Sequence, residues 1–248
     1  MMSFFLLCFK FSLNYISLTH SLKTTLQALK REEQSSLSPQ TTKGQRTRKN
    51  ILICARKVFA RAGYVTLRMS DVAEESGVSM GALYRYFQNK DDLFVNLIGD
   101  IHEQMFQASR AQEHDFAIAP YQALLAANRG YMKHYHENRD VLRALIEAGT
   151  VDKRFRDVWW QMRTRHIDRF VHALKTAHGI ETVDGVPVRI VVESMASLVE
   201  QSAYTWFAQE ELNAIPISVE TASQVVTRIW YRTFFADELP EYPFTEKL

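Results

Sequence analysis

The sequence predicts an all-α protein with an N-terminal three-helix domain that contains a helix-turn-helix, followed by a larger C-terminal helical domain. From about residue 47 onward, apolar residues recur at three- and four-residue steps, and no long segment alternates apolar and polar residues. Hydrophobic residues make up 46% of the 248 residues, which is ample for a core. Glycines follow several of these periodic segments, where helices commonly end.

The first predicted helix runs from Thr47 to Ala62. Its apolar positions fall on one stripe, as expected of a helix that packs against a core. They are Ile51, Leu52, Ala55, Val58, Phe59 and Ala62. Gly63 follows as the expected end of this helix.

The helix-turn-helix is predicted within about residues 70–89, in the run DVAEESGVSMGALYRYFQN that begins at Asp71. Gly77 is placed where a tight turn between two short helices needs a positive φ. Ser79 can cap the second helix by accepting a backbone N–H bond. The residues left facing outward on that helix are Met80, Gly81, Ala82, Tyr84, Arg85 and Tyr86. Small residues at the start allow close approach to a partner and the later donors suit phosphates, which is the layout of a helix that enters a DNA major groove.

A fourth helix is predicted to begin after Asn89, with Asp92 completing a capping exchange. Five further helices are expected. Their approximate ranges are 121–135, 141–148 with Gly149 as its end, 153–178 with Gly179 as its end, 187–207 after a turn at 183–186, and 218–234.

Charge is distributed unevenly along the chain. Residues 43–90 contain ten Lys or Arg and three acidic residues, whereas residues 91–248 contain sixteen basic and twenty-three acidic residues. A basic module followed by an acidic one is expected if only the first module contacts a polyanion. By itself, the basic run would fit a solvated helix face better than a nucleic-acid surface, but its coincidence with the helix-turn-helix favours nucleic acid.

Catalytic and metal chemistry have no support in the sequence. No nucleophile–base pair, phosphate-binding loop or His/Cys cluster with metal-ligand spacing occurs, so an enzyme is not expected, and neither is a cofactor or a metal. The two cysteines, Cys8 and Cys54, form no framework of pairs, which is typical of a reducing, cytoplasmic compartment.

Residues 1–42 form a leader that precedes the predicted domains. The stretch Met1–Leu18 is rich in Phe and Leu, but Lys10 and Asn14 interrupt it below the length of a membrane helix. It also lacks a basic n-region and a clear signal cleavage site. We expect a disordered tail or an over-extended translation start, with a membrane anchor as the alternative.

The run GYVTLRMSDVAEESGVSMGALYRYFQNKDDLF, from Gly63 to Phe94, resembles the N-terminal domain of the tetracycline-repressor (TetR) family of bacterial transcription regulators. With the preceding helix, the resemblance covers about residues 45–107. The shared positions are Gly63, Tyr64, Ala73, Gly77, Val78, Gly81, Leu83, Tyr84, Phe87, Lys90 and Leu93. The sequence departs from the usual pattern at Leu67 and Arg68, where Thr followed by Ser or Thr is common.

The resemblance implies roles for nine DNA-contacting residues. Ser79, Met80 and Gly81 match positions close to base edges, while Tyr84 and Lys90 match positions that grip phosphates. Arg85 and Tyr86 would adjust sequence preference, since Arg can form paired bonds to guanine. Arg68 and Ser70, at the start of the preceding helix, complete the set. For Tyr84, packing between helices is the alternative.

For residues 108–248, the resemblance implies an effector-binding and dimerisation domain. Helices at about 187–209 and 218–236 would pair with their copies in a homodimer. The helices between, about 117–178, would enclose a pocket for a small, apolar effector. Its candidate lining residues are Tyr131, Met132, Tyr135, Trp159, Met162 and His166, for which ordinary core packing is the alternative.

The resemblance therefore implies a ligand-responsive, homodimeric transcriptional repressor of the bacterial cytoplasm that binds a near-palindromic double-stranded DNA operator. Two alternatives stay open. One is a regulator tethered to the membrane by the leader, which we do not favour. The other is a helical ligand-binding protein that has no specific DNA recognition.

Overall fold

The computed structural model of the protein describes residues 41–110 and 113–235. The expectations for the leader at residues 1–42, apart from its last two residues, lie outside this described part of the chain, and so do residues 236–248. The described helices and strands, in chain order, are α1 Thr42–Thr66, α2 Met69–Ser76, α3 Met80–Tyr84, α4 Lys90–Ala108, α5 Pro120–Glu137, α6 Arg139–Val151, α7 Lys153–His178, β1 Thr182–Val183, β2 Val186–Pro187, α8 Val188–Ala203 and α9 Val219–Phe234. The predicted all-α class with an N-terminal helix-turn-helix is thus confirmed.

The N-terminal helices begin and end where local chemistry dictates. Gly63 has φ 69° and ψ 178°, which breaks the helical path of α1 before its last turn. Gly77 adopts the left-handed conformation, with φ 66° and ψ 28°, and reverses the chain after α2. Asn89 Oδ1 accepts from the backbone N–H of Asp92 at 2.9 Å and so caps α4. The predicted breaks at both glycines and the predicted cap at Asn89 are therefore present.

The longest helix, α7, has the predicted bounds because both of its ends are capped. Asp152 accepts from the backbone N–H of Arg154 at 2.8 Å, and Gly179 ends the helix with φ 66°. α7 packs against α6 on one side and α8 on another, while α5 packs against α9. A continuous buried core joins these helices to α1, which packs against α6.

Several local predictions were incomplete. The first helix begins at Thr42 rather than Thr47, and the helix expected to end at Gly149 continues through that residue to Val151. The segment after α7, expected as a plain turn, is a two-stranded antiparallel hairpin that pairs Thr182 with Pro187. Asp184 and Gly185 at its tip both have positive φ, as a tight hairpin turn requires. The helix expected to continue through Phe207 ends at Ala203 and passes into a π-helical turn, Tyr204–Ala208.

None of the helices within residues 41–110 and 113–235 is long and apolar enough to cross a membrane.

Candidate functional site

The second helix of the helix-turn-helix, α3, is presented by a tightly fixed turn. The backbone N–H of Val78 donates to the carbonyl oxygen of Ala73 at 3.1 Å, which closes the turn after α2. Ser79 Oγ then accepts from the backbone N–H of Ala82 at 3.2 Å and caps α3. Leu83 is fully buried and anchors the inner side of the helix. The outer side is therefore held rigidly toward solvent.

Seven of the nine predicted DNA-contacting residues are exposed on this surface. They are Arg68, Ser70, Ser79, Met80, Gly81, Tyr84 and Arg85. Tyr84 is 47% exposed, which argues against its alternative role as packing between helices. Tyr86 differs from expectation, because it is only partly exposed and packs against the hydrophobic core.

Lys90 is partly buried at the start of α4. Its Nζ donates to the carbonyl oxygens of Tyr64 at 3.0 Å and Val65 at 3.3 Å, and it lies 4.7 Å from the centre of the Tyr64 ring. An ammonium group has three N–H donors, so one is left for a phosphate. The sequence did not predict that Lys90 also holds the end of α1.

This chain has Leu67 and Arg68 where the TetR pattern commonly has hydroxyl residues, and a backbone hydrogen bond replaces the hydroxyl cap of α2. Leu67 is buried in the core, and Arg68 places its side chain in solvent. The backbone N–H of Arg68 donates to Asp71 Oδ2 at 3.3 Å, which caps α2 without a hydroxyl. The guanidinium of Arg68 is consequently available for a phosphate.

A cavity of about 750 Å³ lies between α4, α5, α6, α7, α8 and the start of the π-helical turn. It is lined by five of the six predicted effector residues, namely Tyr131, Tyr135, Trp159, Met162 and His166. Met132 is the exception: it is completely buried in the core and does not line the cavity. The helical rotation of 100° per residue turns Met132 away from the face that Tyr131 and Tyr135 share.

A buried ion pair crosses one wall of the cavity. Arg163 Nη1 lies 2.6 Å from Glu200 Oε2, and the Arg163 side chain is only 8% exposed. Arg163 Nη2 also donates to the carbonyl oxygen of Glu193 at 2.7 Å and to Ser197 Oγ at 2.8 Å. Burial raises the pKa of the Glu200 carboxyl, against the lowering effect of Arg163. The pair ties α7 to α8.

Aromatic and imidazole rings form much of another wall. His166 packs edge-on against Tyr131, with ring centres 5.7 Å apart, and against Phe106 at 5.2 Å. Burial, with Arg169 next, lowers the pKa of His166 to about 3, and burial lowers that of His102 to about 4. Both imidazoles are therefore neutral near pH 7. Burial raises the pKa of the Tyr131 hydroxyl well above its ordinary value, so it too is neutral.

Sequence reasoning missed the charged lining residues of this cavity. Arg163, Arg169 and Glu200 all line it, together with Tyr204 and Trp230. Charged residues on a helix are usually solvated, so nothing in the sequence indicated that these three border a cavity. An Arg–Glu pair between two different helices leaves no local spacing that a sequence could reveal.

Within the described residues, no group of three or more His, Cys, Asp or Glu side chains could hold a metal ion.

Comparisons with known proteins place the helix-turn-helix in a family. Residues 51–97 match the family model described as bacterial regulatory proteins, tetR family. The transcriptional regulator TtgR of Pseudomonas putida is 34% identical over 76 residues, which are 31% of this chain and 36% of TtgR. The regulator HbdR of Aromatoleum sp. is 42% identical over 60 residues, 23% of this chain and 26% of HbdR. The matches thus span well under two thirds of these relatives.

Solved structures match over most of the described chain. SmeT, the repressor of the Stenotrophomonas maltophilia multidrug efflux pump SmeDEF, superposes with a TM-score of 0.61 at 17% identity, covering 82% of this chain and 96% of SmeT. A tetR-family regulatory protein from Rhodococcus has a TM-score of 0.58 at 18% identity, covering 77% of this chain and 98% of that one. At this identity the likeness shows the fold alone. Residues 51–97 therefore match the helix-turn-helix domain of the TetR family of bacterial regulatory proteins, and the fold of the chain is similar to that of solved TetR-family regulators.

Proposed function

We propose that this protein is a homodimeric transcriptional repressor that releases its operator when a small molecule occupies the cavity. Within this proposal, residues 45–107 bind DNA and residues 108–248 bind the effector and form the dimer. One observation carries the proposal: a rigid, exposed recognition helix and a large internal cavity occur in the same chain, and α4 contacts both regions.

The exposed surface of α3 supports DNA binding. Met80 and Gly81 lie at its N-terminal end, where a recognition helix contacts base edges, and Arg85 follows at its C-terminal end. Arg68, Tyr84 and the free donor of Lys90 surround them with groups that suit phosphates. The residues on α3 would contact the bases and determine sequence preference, and the surrounding phosphate contacts would supply most of the affinity.

The exposed apolar residues of α8 and α9 support a homodimer. Ile190 and Leu198 on α8 are 54% and 39% exposed, and Ile229 on α9 is 36% exposed. Apolar side chains concentrated on neighbouring helices commonly mark an interface. Pairing these helices with their copies would place two recognition helices on successive major grooves of a near-palindromic operator.

Release by an effector requires only that the effector bind one dimer conformation more tightly than the other. The cavity touches α4 through Met105 and Ser109, and α4 begins beside the recognition helix. An occupied cavity can therefore shift the spacing of the two recognition helices.

The test is selection from a random-sequence DNA pool with the full chain, at about 150 mM salt and with excess nonspecific competitor, because salt controls how much nonspecific binding survives. We expect enrichment of a near-palindromic sequence and a complex with two chains per duplex. Failure to enrich any sequence would overturn the repressor proposal and leave the ligand-binding protein as the better reading. The same complex should form without detergent, whereas a requirement for lipid would favour the membrane-tethered alternative.

A further inference from the structure

The residues that line the cavity extend far along two helices. Along α7 its lining residues run from Arg156 to Phe170, and at a rise of 1.5 Å per residue these positions span about 21 Å. Along α5 they run from Leu124 to Tyr135, a span of about 16 Å. Between these limits most of the wall is aliphatic or aromatic. A long apolar molecule fits this shape better than a compact polar one.

Arg169 is a charged group in this wall that has no acidic partner among residues 41–110 and 113–235. Its Nη1 donates to the carbonyl oxygen of Phe106 at 2.8 Å, and its Nη2 donates to the carbonyl oxygen and the hydroxyl of Ser109 at 3.0 and 2.8 Å. All three acceptors are neutral. Within the described residues, no carboxylate oxygen lies within 4 Å of the Arg169 guanidinium.

Arg169 nevertheless keeps its proton. Burial lowers the pKa of its guanidinium to about 10, with the neighbouring positive charges of Arg110 and Arg165 contributing. At pH 7 the group is therefore a cation. Its Cζ lies 4.3 Å from the centre of the Phe106 ring, a cation–π contact, but no carboxylate of the described residues neutralises its charge. Of its five N–H donors, the bonds to Phe106 and Ser109 use three, which leaves two for another acceptor.

The other groups of the cavity do not supply the missing negative charge. The Glu200 carboxylate is already paired with Arg163 at 2.6 Å. His102 and His166 are neutral at pH 7 because burial lowers the pKa of each. A buried cation of this kind favours an anion, and the planar guanidinium matches a carboxylate.

We propose that the cavity binds an amphipathic monocarboxylate, with a long apolar tail along α7 and its carboxylate accepting a hydrogen bond from a free N–H of Arg169. This inference rests on the proposed function, since it names the chemical class of the effector. Arg169 also holds the carbonyl oxygen of Phe106, in the last turn of α4, so a carboxylate bound there sits directly beside the helix that leads to the DNA-binding surface.

The experiment measures binding of three twelve-carbon probes to the full chain by titration calorimetry, each below its micelle concentration. The probes are dodecanoate, dodecanol and dodecyltrimethylammonium. We expect dodecanoate to bind about tenfold or more tightly than the other two, since only its carboxylate can accept a charge-assisted hydrogen bond from Arg169. Equal affinities, or no binding of dodecanoate, would overturn the inference.

Variants then locate the carboxylate. Arg169→Met should remove the preference for dodecanoate over dodecanol, while Arg169→Lys, which keeps the positive charge but has a shorter reach, should retain part of it. The matched control is Arg165→Met, because Arg165 contacts the same Phe106 ring but pairs with Glu103 and does not line the cavity. An unchanged preference in Arg169→Met, or the same loss in Arg165→Met, would contradict the assignment. If Arg169→Met fails to fold, the wild-type probe comparison together with Arg169→Lys still decides.

The two proposals can fail separately. Selective DNA binding without dodecanoate binding would overturn only the inference about the effector. Dodecanoate binding that depends on Arg169, in a protein that enriches no DNA sequence, would overturn only the repressor function.

Discussion

Arg154 and Asp91 form an ion pair, with Arg154 Nη2 2.7 Å from Asp91 Oδ2, that joins the first turn of α7 to the first turn of α4. Asp91 also accepts a hydrogen bond from the Tyr64 hydroxyl at 2.5 Å. Beside this pair, the buried ring of Phe155 packs edge-on against Tyr64 at 5.0 Å and Phe94 at 5.3 Å. The start of the cavity-lining helix is thus in contact with the helix that follows the recognition helix.

We expect Arg154→Met to weaken communication between the cavity and the DNA-binding surface. The pair is largely exposed on the Arg154 side, so its loss should cost at most about 1 kcal/mol of stability. The measurement is operator affinity without and with saturating dodecanoate. The ratio of these two affinities should move toward one in the variant. Lys153→Met is the control, because Lys153 pairs with Asp157 inside the same helix. A ratio equal to that of the wild type would show that Phe155 alone carries the contact.

Gly81 offers a test of the recognition surface that leaves the fold intact. A Cβ at Gly81 would meet nothing within 4 Å in the free protein, so Gly81→Leu should fold normally. On DNA, the larger side chain would hold the helix away from the groove, and we expect operator affinity to fall at least about a hundredfold, a loss of about 2.8 kcal/mol. Gly99→Leu is the matched control, because Gly99 is also exposed on a helix with open space around it. Full operator affinity in Gly81→Leu would exclude this end of α3 from the interface.

Lys90→Ala should weaken binding to every DNA sequence and reduce the slope of log affinity against log salt by about one unit, as expected for one lost phosphate contact. The variant also removes two bonds to the end of α1, so its melting temperature should fall as well. The comparison is Arg85→Ala, which should change sequence preference more than stability. A melting temperature that falls while the salt slope stays unchanged would assign Lys90 to structure only.

The parts of this fold that the sequence predicted are those fixed by local chemistry. The breaks at Gly63, Gly77 and Gly179 each follow from a positive φ, which glycine adopts without a steric cost. The caps at Ser79 and Asn89 follow from side chains that reach their own backbone. Such signals lie within four residues, so a single sequence contains them.

The parts that the sequence did not predict depend on distant residues. Arg163 and Glu200 are 37 positions apart, and Arg169 reaches Ser109 across 60 positions. Met132 was among the residues predicted to line the cavity, yet the packing of α5 turns it into the core. The neighbouring helices determine which face of a helix lines a cavity, so the local sequence pattern of one helix cannot predict it.

Gly130→Ala should destabilise the protein because α5 approaches the end of α4 closely at this point. A Cβ at Gly130 would lie 2.1 Å from the carbonyl oxygen of Ala108, so the backbone would have to shift. Overpacking of this kind costs about 1–3 kcal/mol. Chemical denaturation measures it, with Gly99→Ala as the control, which should be neutral or stabilising by up to about 1 kcal/mol. A Gly130→Ala variant as stable as the Gly99→Ala variant would show that the two helices separate at little cost.

Stability should fall as the pH is lowered from 7 to 5, and His166 should account for part of the loss. In the unfolded chain a histidine has a pKa near 6.5, whereas burial lowers the pKa of His166 to about 3 in the folded chain. Between these values the unfolded state binds the proton and the folded state does not, so the contribution is complete above pH 6.5 and decreases toward the folded pKa. At pH 5 this amounts to about 2 kcal/mol.

The variant that isolates this effect is His166→Phe, which keeps a ring against Tyr131 and removes the titration. The difference in unfolding free energy between pH 7 and pH 5 should be smaller in the variant than in the wild type. Glu200, whose pKa burial raises, acts in the opposite direction but is present in both proteins, so its contribution cancels. Carboxylates with a lowered pKa, such as Glu103 with a pKa of about 2, also stabilise the folded state, but this contribution is lost mainly below pH 5. His172→Phe, at an exposed position of the same helix, is the control. If the His172 variant flattened the pH dependence as much as the His166 variant, the buried imidazole would not be its source.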